Sequence, residues 1–314
     1  MHSRRAFLAA ALPVRSALTK RMEQVMGEFP QTPRGALEIE KSEPLEMSRH
    51  SHIKLSYASE AGDRVPAYLL LPHGLHSKAP AMLCLHQTTR IGKDEPAALG
   101  GKPNLHYAAE LADLGFVTLA PDYPNFGEYQ FDAYTHGYAS TTMKAIWNHS
   151  RAVDLLESLP QVRRDAIGCI GHSLGGHNTL FLASFDSRVR ALVTSCGFTS
   201  FHKYMHGDLT GWSHKGYMPR IAERYGKDPA RMPFDFPELL AALAPRALFV
   251  NAPLRDSNFD VDGVRECVAA FRGKHLEAVY PDAEHDFPPA ARNQAYRFLQ
   301  RYFKMRVDSE PNFL

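Results

Sequence analysis

From about residue 50 onward, short fully apolar runs alternate with longer stretches in which apolar residues recur every three or four positions. The first spacing is that of buried strands and the second that of amphipathic helices. Ile53 to Ala58 and Val65 to Leu71 read as two strands joined by a turn through Gly62-Asp63, an antiparallel pair. The run Ala81 to Leu85 is a strand, Leu105 to Leu114 a helix stopped by Gly115, and Phe116 to Ala120 a strand ended by Pro121. Thr141 to Leu159 is a long helix with Ala145, Ile146, His149, Val153 and Leu156 on one face, stopped by Pro160. A strand from Ile167, a helix over His177 to Ser184, and strands at Ala191 to Ser195 and Ala247 to Asn251 follow. The chain closes with a helix from Val261 to Phe271, a strand from Leu276 to Tyr280 and a helix from Ala290 to Met305. Apolar strands alternating with amphipathic helices predict an α/β fold with a mostly parallel central sheet flanked by helices. Residues 197–243 carry no clear strand and are too many for a structureless loop. They predict an inserted lid-like segment with short helices at Pro219 to Tyr225 and Pro237 to Leu243.

With 314 residues, the chain suits one large domain, and residues 26–314 are expected to form it. The formal charge of +2 gives no general pull toward nucleic acid, and no apolar run is long enough to span a bilayer. Of the four cysteines, Cys84, Cys169 and Cys196 lie in or at the end of strand-like runs and Cys267 in a helix. The strand cysteines read as buried small hydrophobes rather than a disulfide framework or a metal site. The oligomeric state stays open. Ser3-Arg4-Arg5-Ala6-Phe7-Leu8 resembles a twin-arginine export signal, but Pro13 and Arg15 cut the apolar run short. A plain amphipathic helix is the alternative, so both cytoplasmic and exported locations stand, and residues 1–25 are set aside from the fold.

The chemistry centres on Gly171-His172-Ser173-Leu174-Gly175, a G-x-S-x-G motif with a strand before it and a helix after it. That is the context of a nucleophile elbow, where the serine hydroxyl stands clear of the sheet on a sharp turn. Cβ atoms at Gly171 and Gly175 would collide with the adjoining strand or helix. A serine hydroxyl needs a base within reach, and the base needs a third group to hold its tautomer. His285 follows the last strand and Asp256 the one before it, and the order Ser, Asp, His fits the α/β-hydrolase arrangement. Asp260 is a second candidate acid; with Asp262, its alternative role is to cap or charge a helix start. His275 precedes the last strand and falls at the wrong end of the sheet, while His172 is expected to pack or hydrogen-bond locally. For the oxyanion, the backbone N–H of Leu174 is one expected donor. The other comes from the loop after the third strand, Gln87 or Thr88, with Gln87 favoured; His86 is expected to be a buried histidine fixing that loop.

On CLHQ at Cys84 to Gln87, APDYPNFGEY at Ala120 to Tyr129, GHSLGG at Gly171 to Gly176, and the Asp256 and His285 segments, the chain resembles the α/β-hydrolase superfamily. Within it the resemblance is to the dienelactone-hydrolase-like group, with acetyl xylan esterases and relatives of the prolyl oligopeptidase catalytic domain, over roughly residues 50 to 305. Dienelactone hydrolases proper use a cysteine nucleophile, so Ser173 points to the esterase or peptidase branches. The resemblance implies hydrolysis of a small-molecule ester through an acyl-enzyme, without a cofactor. Alternatives are a serine peptidase acting on short peptides and a non-catalytic binding protein on the same fold.

No zinc-protease or paired-cysteine metal pattern is present, and Gly207, Gly211 and Gly216 argue against His202, His206 and His214 sharing a helix face. In the insertion, Tyr204, Trp212, His214, Lys215 and Tyr217 suit a sugar or a carboxylate-bearing ester better than a lipid chain. Of these, Trp212, Lys215 and Tyr217 are the expected substrate-binding residues.

Overall fold

The computed structural model describes residues 17–305. Its centre is a ten-stranded sheet, formed by β1 (Glu40–Lys41), β2 (Leu45–Glu46), β3 (His50–Glu60), β4 (Asp63–Pro72), β5 (Ala79–Leu85), β6 (Val117–Pro121), β7 (Val162–His172), β8 (Val189–Ser195), β9 (Ala247–Asn251) and β10 (Leu276–Val279). The strand order is β1-β3-β4-β6-β5-β7-β8-β9-β10, with β2 beside β3. Pairings from β6 through β10 are parallel, whereas β1 to β4 join antiparallel, as does β4 to β6. The order reverses at β5, which lies between β6 and β7, and in open α/β sheets such a switch point is where ligands bind.

Helices cover both faces: α1 (residues 17–26), α2 (Tyr107–Asp113), α3 (Thr141–Ser158), α4 (Leu174–Phe185), α5 (Arg220–Tyr225), α6 (Phe236–Leu243), α7 (Val261–Ala270) and α8 (Pro289–Phe303). Strand β5 shows how the layers separate. Ala81, Leu83 and Leu85 face a core shared with α1, α3, α4, α6 and α7, while Met82 and Cys84 face one shared with α2 and α8. That is the period of two expected of a strand buried on both sides. Helix α3 differs from its one-faced expectation. It is buried nearly all round, with Lys144 bonded to Glu60 at 2.6 Å and Asp63 at 2.7 Å.

Two expectations about boundaries change. The folded body begins before residue 26, because Leu18, Met22, Val25 and Met26 of α1 form a buried helical stripe. Ser140, the N-cap of α3, donates to the Met26 carbonyl at 2.6 Å and so ties α1 to the core. The Ser3 to Leu8 motif lies outside the described residues. Strands β1 and β2 were not expected; each is two exposed residues long and carries no periodic apolar signal. The segment 197–243 contains α5, α6 and short 3-10 turns, including Tyr204–Gly207 and Leu209–Trp212. Asp235 anchors it by a capping box with Glu238 at the start of α6, and also accepts the Phe201 N–H at 2.9 Å.

Candidate active site

Strand β7 runs directly into α4, and the single residue between them is Ser173, at φ 52° and ψ −115°. A non-glycine residue there is strained, which is the geometry of a nucleophile elbow. Its N–H donates to the Ser195 carbonyl of β8 at 2.8 Å and pins the turn. The close approach explains the glycines. A Cβ on Gly171 would lie 2.3 Å from the Gly175 carbonyl carbon, and one on Gly175 would lie 1.9 Å from the Leu85 carbonyl oxygen. The start of α4 therefore rests against the end of β5, beside the His86-Gln87 loop.

His285, on the loop after β10, places Nδ1 3.0 Å from both carboxylate oxygens of Asp256, on the loop after β9. The Asp256 side chain is 1% exposed and also accepts the N–H groups of Asn258 at 2.8 Å and Phe259 at 3.2 Å. Burial alone would raise its pKa. The His285 hydrogen bond and charge, with the Asn258 N–H, outweigh burial and hold the carboxyl below the ordinary aspartate value. Asp260 instead caps α7, accepting the Gly263 N–H at 2.9 Å. His275 sits at the opposite end of β10, its ring 5.4 Å from that of Tyr302.

Ser173 and His285 line one cleft of about 370 Å³ together with Gln87, Thr88, Trp212 and Tyr217. The Thr88 and Tyr217 hydroxyls, both in its lining, bond each other at 2.8 Å. Trp212 is also a core residue, 3% exposed, with its ring against Phe201, Tyr204 and Phe236. Lys215 is a correction: it is not among the lining residues. Its ammonium lies over the Tyr134 ring at 6.0 Å, and its carbonyl accepts from Tyr134 and Thr141. Tyr204 and His214 line the cleft from the same insertion.

Sequence reasoning missed His177, Asn258 and Phe259, which also line the cleft. His177 stands four residues after Ser173 on α4, and that one-turn spacing was the available signal. Asn258 and Phe259 lie on the turn closed by Asp256 and carried none. Burial lowers the pKa of His177 to about 3, so its ring is neutral at physiological pH.

The histidines of the elbow and the β5 loop are structural. His86 is buried; its Nε2 accepts the Tyr123 N–H at 2.9 Å and its Nδ1 meets the Gln87 carbonyl at 2.6 Å. His172 bonds the Ser195 hydroxyl at 2.9 Å, and its ring stands edge-on to His285, 4.8 Å between centroids. Among the described residues, His172, Cys196 and His285 are the one group whose metal-ligating atoms converge, within 4.8 Å of one another. That spread is wide for bonds of about 2.0–2.3 Å to one ion. His285 Nδ1 and Cys196 Sγ are moreover held by Asp256 and the Asp286 carbonyl. His202, His206 and His214 do not converge.

A strained serine between a parallel strand and a helix, and a His–Asp pair on the loops after β10 and β9, define a serine hydrolase of the α/β-hydrolase fold. More particularly, the chain belongs to the prolyl oligopeptidase family, whose model matches residues 104–310. It is 26% identical over 311 residues to YtaP of Bacillus subtilis, which carries the name of a hydrolase, covering 92% of this chain and all of that one. The fold is similar to a glucuronoyl esterase from Solibacter usitatus, with a TM-score of 0.67 and 15% identity, covering 92% of this chain and 91% of that one. It is likewise similar to acetyl xylan esterase 1 from Thermoanaerobacterium, with a TM-score of 0.64 and 18% identity, covering 92% and 93%. No helix among the described residues is long and apolar enough to cross a membrane.

Proposed function

We propose that this protein hydrolyses a small, uncharged carboxylic ester through an acyl-enzyme on Ser173. The observation that carries the reading is the bidentate approach of Asp256 to His285 Nδ1 at 3.0 Å, in a cleft that Ser173 also lines. In this mechanism Asp256 fixes the tautomer with the proton on Nδ1, so Nε2 is the base. Nε2 takes the Ser173 proton as Oγ attacks the carbonyl carbon. The tetrahedral oxyanion accepts from the N–H groups of Leu174 and Gln87, with Thr88 as the alternative second donor. As the carbon–oxygen bond breaks, His285 returns the proton to the departing alcohol. Water then attacks the acyl-enzyme with His285 again as base, releasing the acid and restoring Ser173.

The lining supports this substrate class. Among the described residues, no Lys, Arg, Asp or Glu lines the cleft, and burial keeps His177 neutral. Sinking a charged group there would lose hydration without a partner. Aromatic faces at Trp212, Tyr217 and Phe259, with the Thr88 and Tyr217 hydroxyls, suit a sugar-like or aryl ester. The glucuronoyl and acetyl xylan esterases among its structural relatives support a carbohydrate-type ester. The family's name supports a second reading, cleavage of short peptides. Specificity constants for p-nitrophenyl acetate, acetylated sugars and a dipeptide anilide separate the two. Turnover of the anilide above the esters would overturn the ester reading.

A further inference from the structure

The loop between β5 and α2 holds a buried carboxylate that the triad does not use. Glu95 is 2% exposed. Its oxygens accept the Gln87 carboxamide at 2.9 and 3.1 Å, and the Lys102 N–H at 3.1 Å. Burying an acceptor carboxylate costs free energy unless donors surround it, and all of these donors belong to the one loop. Gly101, at φ +77°, lets the chain close around it, since a Cβ there would lie 2.5 Å from Glu95 Oε1. At its other end Gln87 is held by its carbonyl, which meets His86 Nδ1 at 2.6 Å. His86 is fixed in turn by the Tyr123 N–H at 2.9 Å. Gln87 is therefore gripped at both carboxamide and carbonyl, the side-chain and carbonyl substituents of the Cα from which its N–H also leaves, so rotation about that Cα is restricted.

We propose that Glu95 is a positioning residue for the oxyanion site: by clamping the Gln87 side chain it aims the Gln87 N–H at the charge that develops in the transition state. This rests on the reading of Gln87 as an oxyanion donor. Such donors act because they are aimed beforehand and need no reorganisation when charge appears. A loosened clamp should therefore lower kcat and leave KM nearly unchanged.

The test compares wild type with Glu95→Ala, Glu95→Gln, Gln87→Ala and the Glu95→Ala/Gln87→Ala double variant, using p-nitrophenyl acetate and phenylboronate, which forms a tetrahedral adduct with an activated serine. Glu95→Ala should lower kcat roughly 10- to 100-fold, short of the loss of a whole donor. KM should stay within about twofold and boronate affinity should fall in step with kcat. Glu95→Gln, which keeps one acceptor oxygen, should fall in between and covers the case in which the alanine variant does not fold. In the Gln87→Ala background, Glu95→Ala should cost no more than about threefold, because the clamp has already lost its grip. A raised KM at unchanged kcat, or full additivity with Gln87→Ala, would overturn the proposal. Gln87→Pro, which removes the N–H itself, separates the two levels. Wild-type turnover in that variant sinks the donor reading, whereas a slow Gln87→Pro beside a wild-type-like Glu95→Ala sinks the clamp alone.

Discussion

Lowering the pH from 7.5 to 5 should strip stability from this protein through its buried histidines, and two of them show the scale of the effect. Burial lowers both His149, on α3, and His177, on α4, from 6.5 to about 3. The unfolded chain therefore binds a proton at each site that the folded chain refuses. Stability is full above pH 6.5 and falls as pH drops toward 3. At 1.36 kcal/mol per pH unit and site, the fall from pH 6.5 to 5 is about 2 kcal/mol for each histidine, up to about 4 kcal/mol for the pair. Burial drives His52, to about 4, and also His172 and His86 in the same direction, while it raises Asp122 and Asp235, whose earlier protonation in the folded state offsets part of the loss. Asp256 and Asp186 have folded pKa values held below 3.8, so their stabilising contributions are lost only in more acid solution. Urea unfolding at pH 7.5, 6.5, 5.8 and 5.0 measures the slope. His149→Gln cannot ionise in this range and should flatten the slope by about 1.4 kcal/mol per unit, whatever it does to stability at pH 7.5. Constant stability between pH 6.5 and 5, or an unchanged slope in His149→Gln, would refute the argument that burial keeps these rings neutral.

Asp256→Asn should lower kcat about 10,000-fold through the wrong histidine tautomer. Asp260→Asn should leave the rate close to wild type, because asparagine is nearly as good a helix cap as aspartate; steady-state kinetics and thermal melts on both variants check this, and reversed effects would reassign the acid. Trp212→Phe keeps a ring in the core and should shift the kcat/KM ratio of bulky to acetyl esters, roughly tenfold, while Lys215→Ala leaves that ranking unchanged; the opposite pattern would mean that Lys215, not Trp212, meets the substrate.

Local pattern carried most of the fold and the outline of the site. Strand ends are visible in sequence, so Ser173, Asp256 and His285 were assigned to the loops after β7, β9 and β10, and there they lie. What was not legible depends on distant packing. The stripe Leu18, Met22, Val25, Met26 has helical spacing, yet it adjoins a signal-like segment, and only its burial against the core separates the two. Lys215 sits among cleft aromatics in sequence, but the chain turns its ammonium to Tyr134. Asn258 and Phe259 reach the cleft because Asp256 folds their backbone into a tight turn. Glu95 lies in a loop with no apolar periodicity to signal its burial, which goes with Gly101 closing over it.

The central claim is that Ser173 is the nucleophile of an ester hydrolase. Reaction with a fluorophosphonate, followed by peptide mass mapping alongside p-nitrophenyl acetate turnover in wild type and Ser173→Ala, tests it most directly. One adduct on Ser173, absent from the variant and accompanied by loss of nearly all turnover, is the expected result. An adduct on another residue, or near-wild-type turnover in Ser173→Ala, would contradict the account.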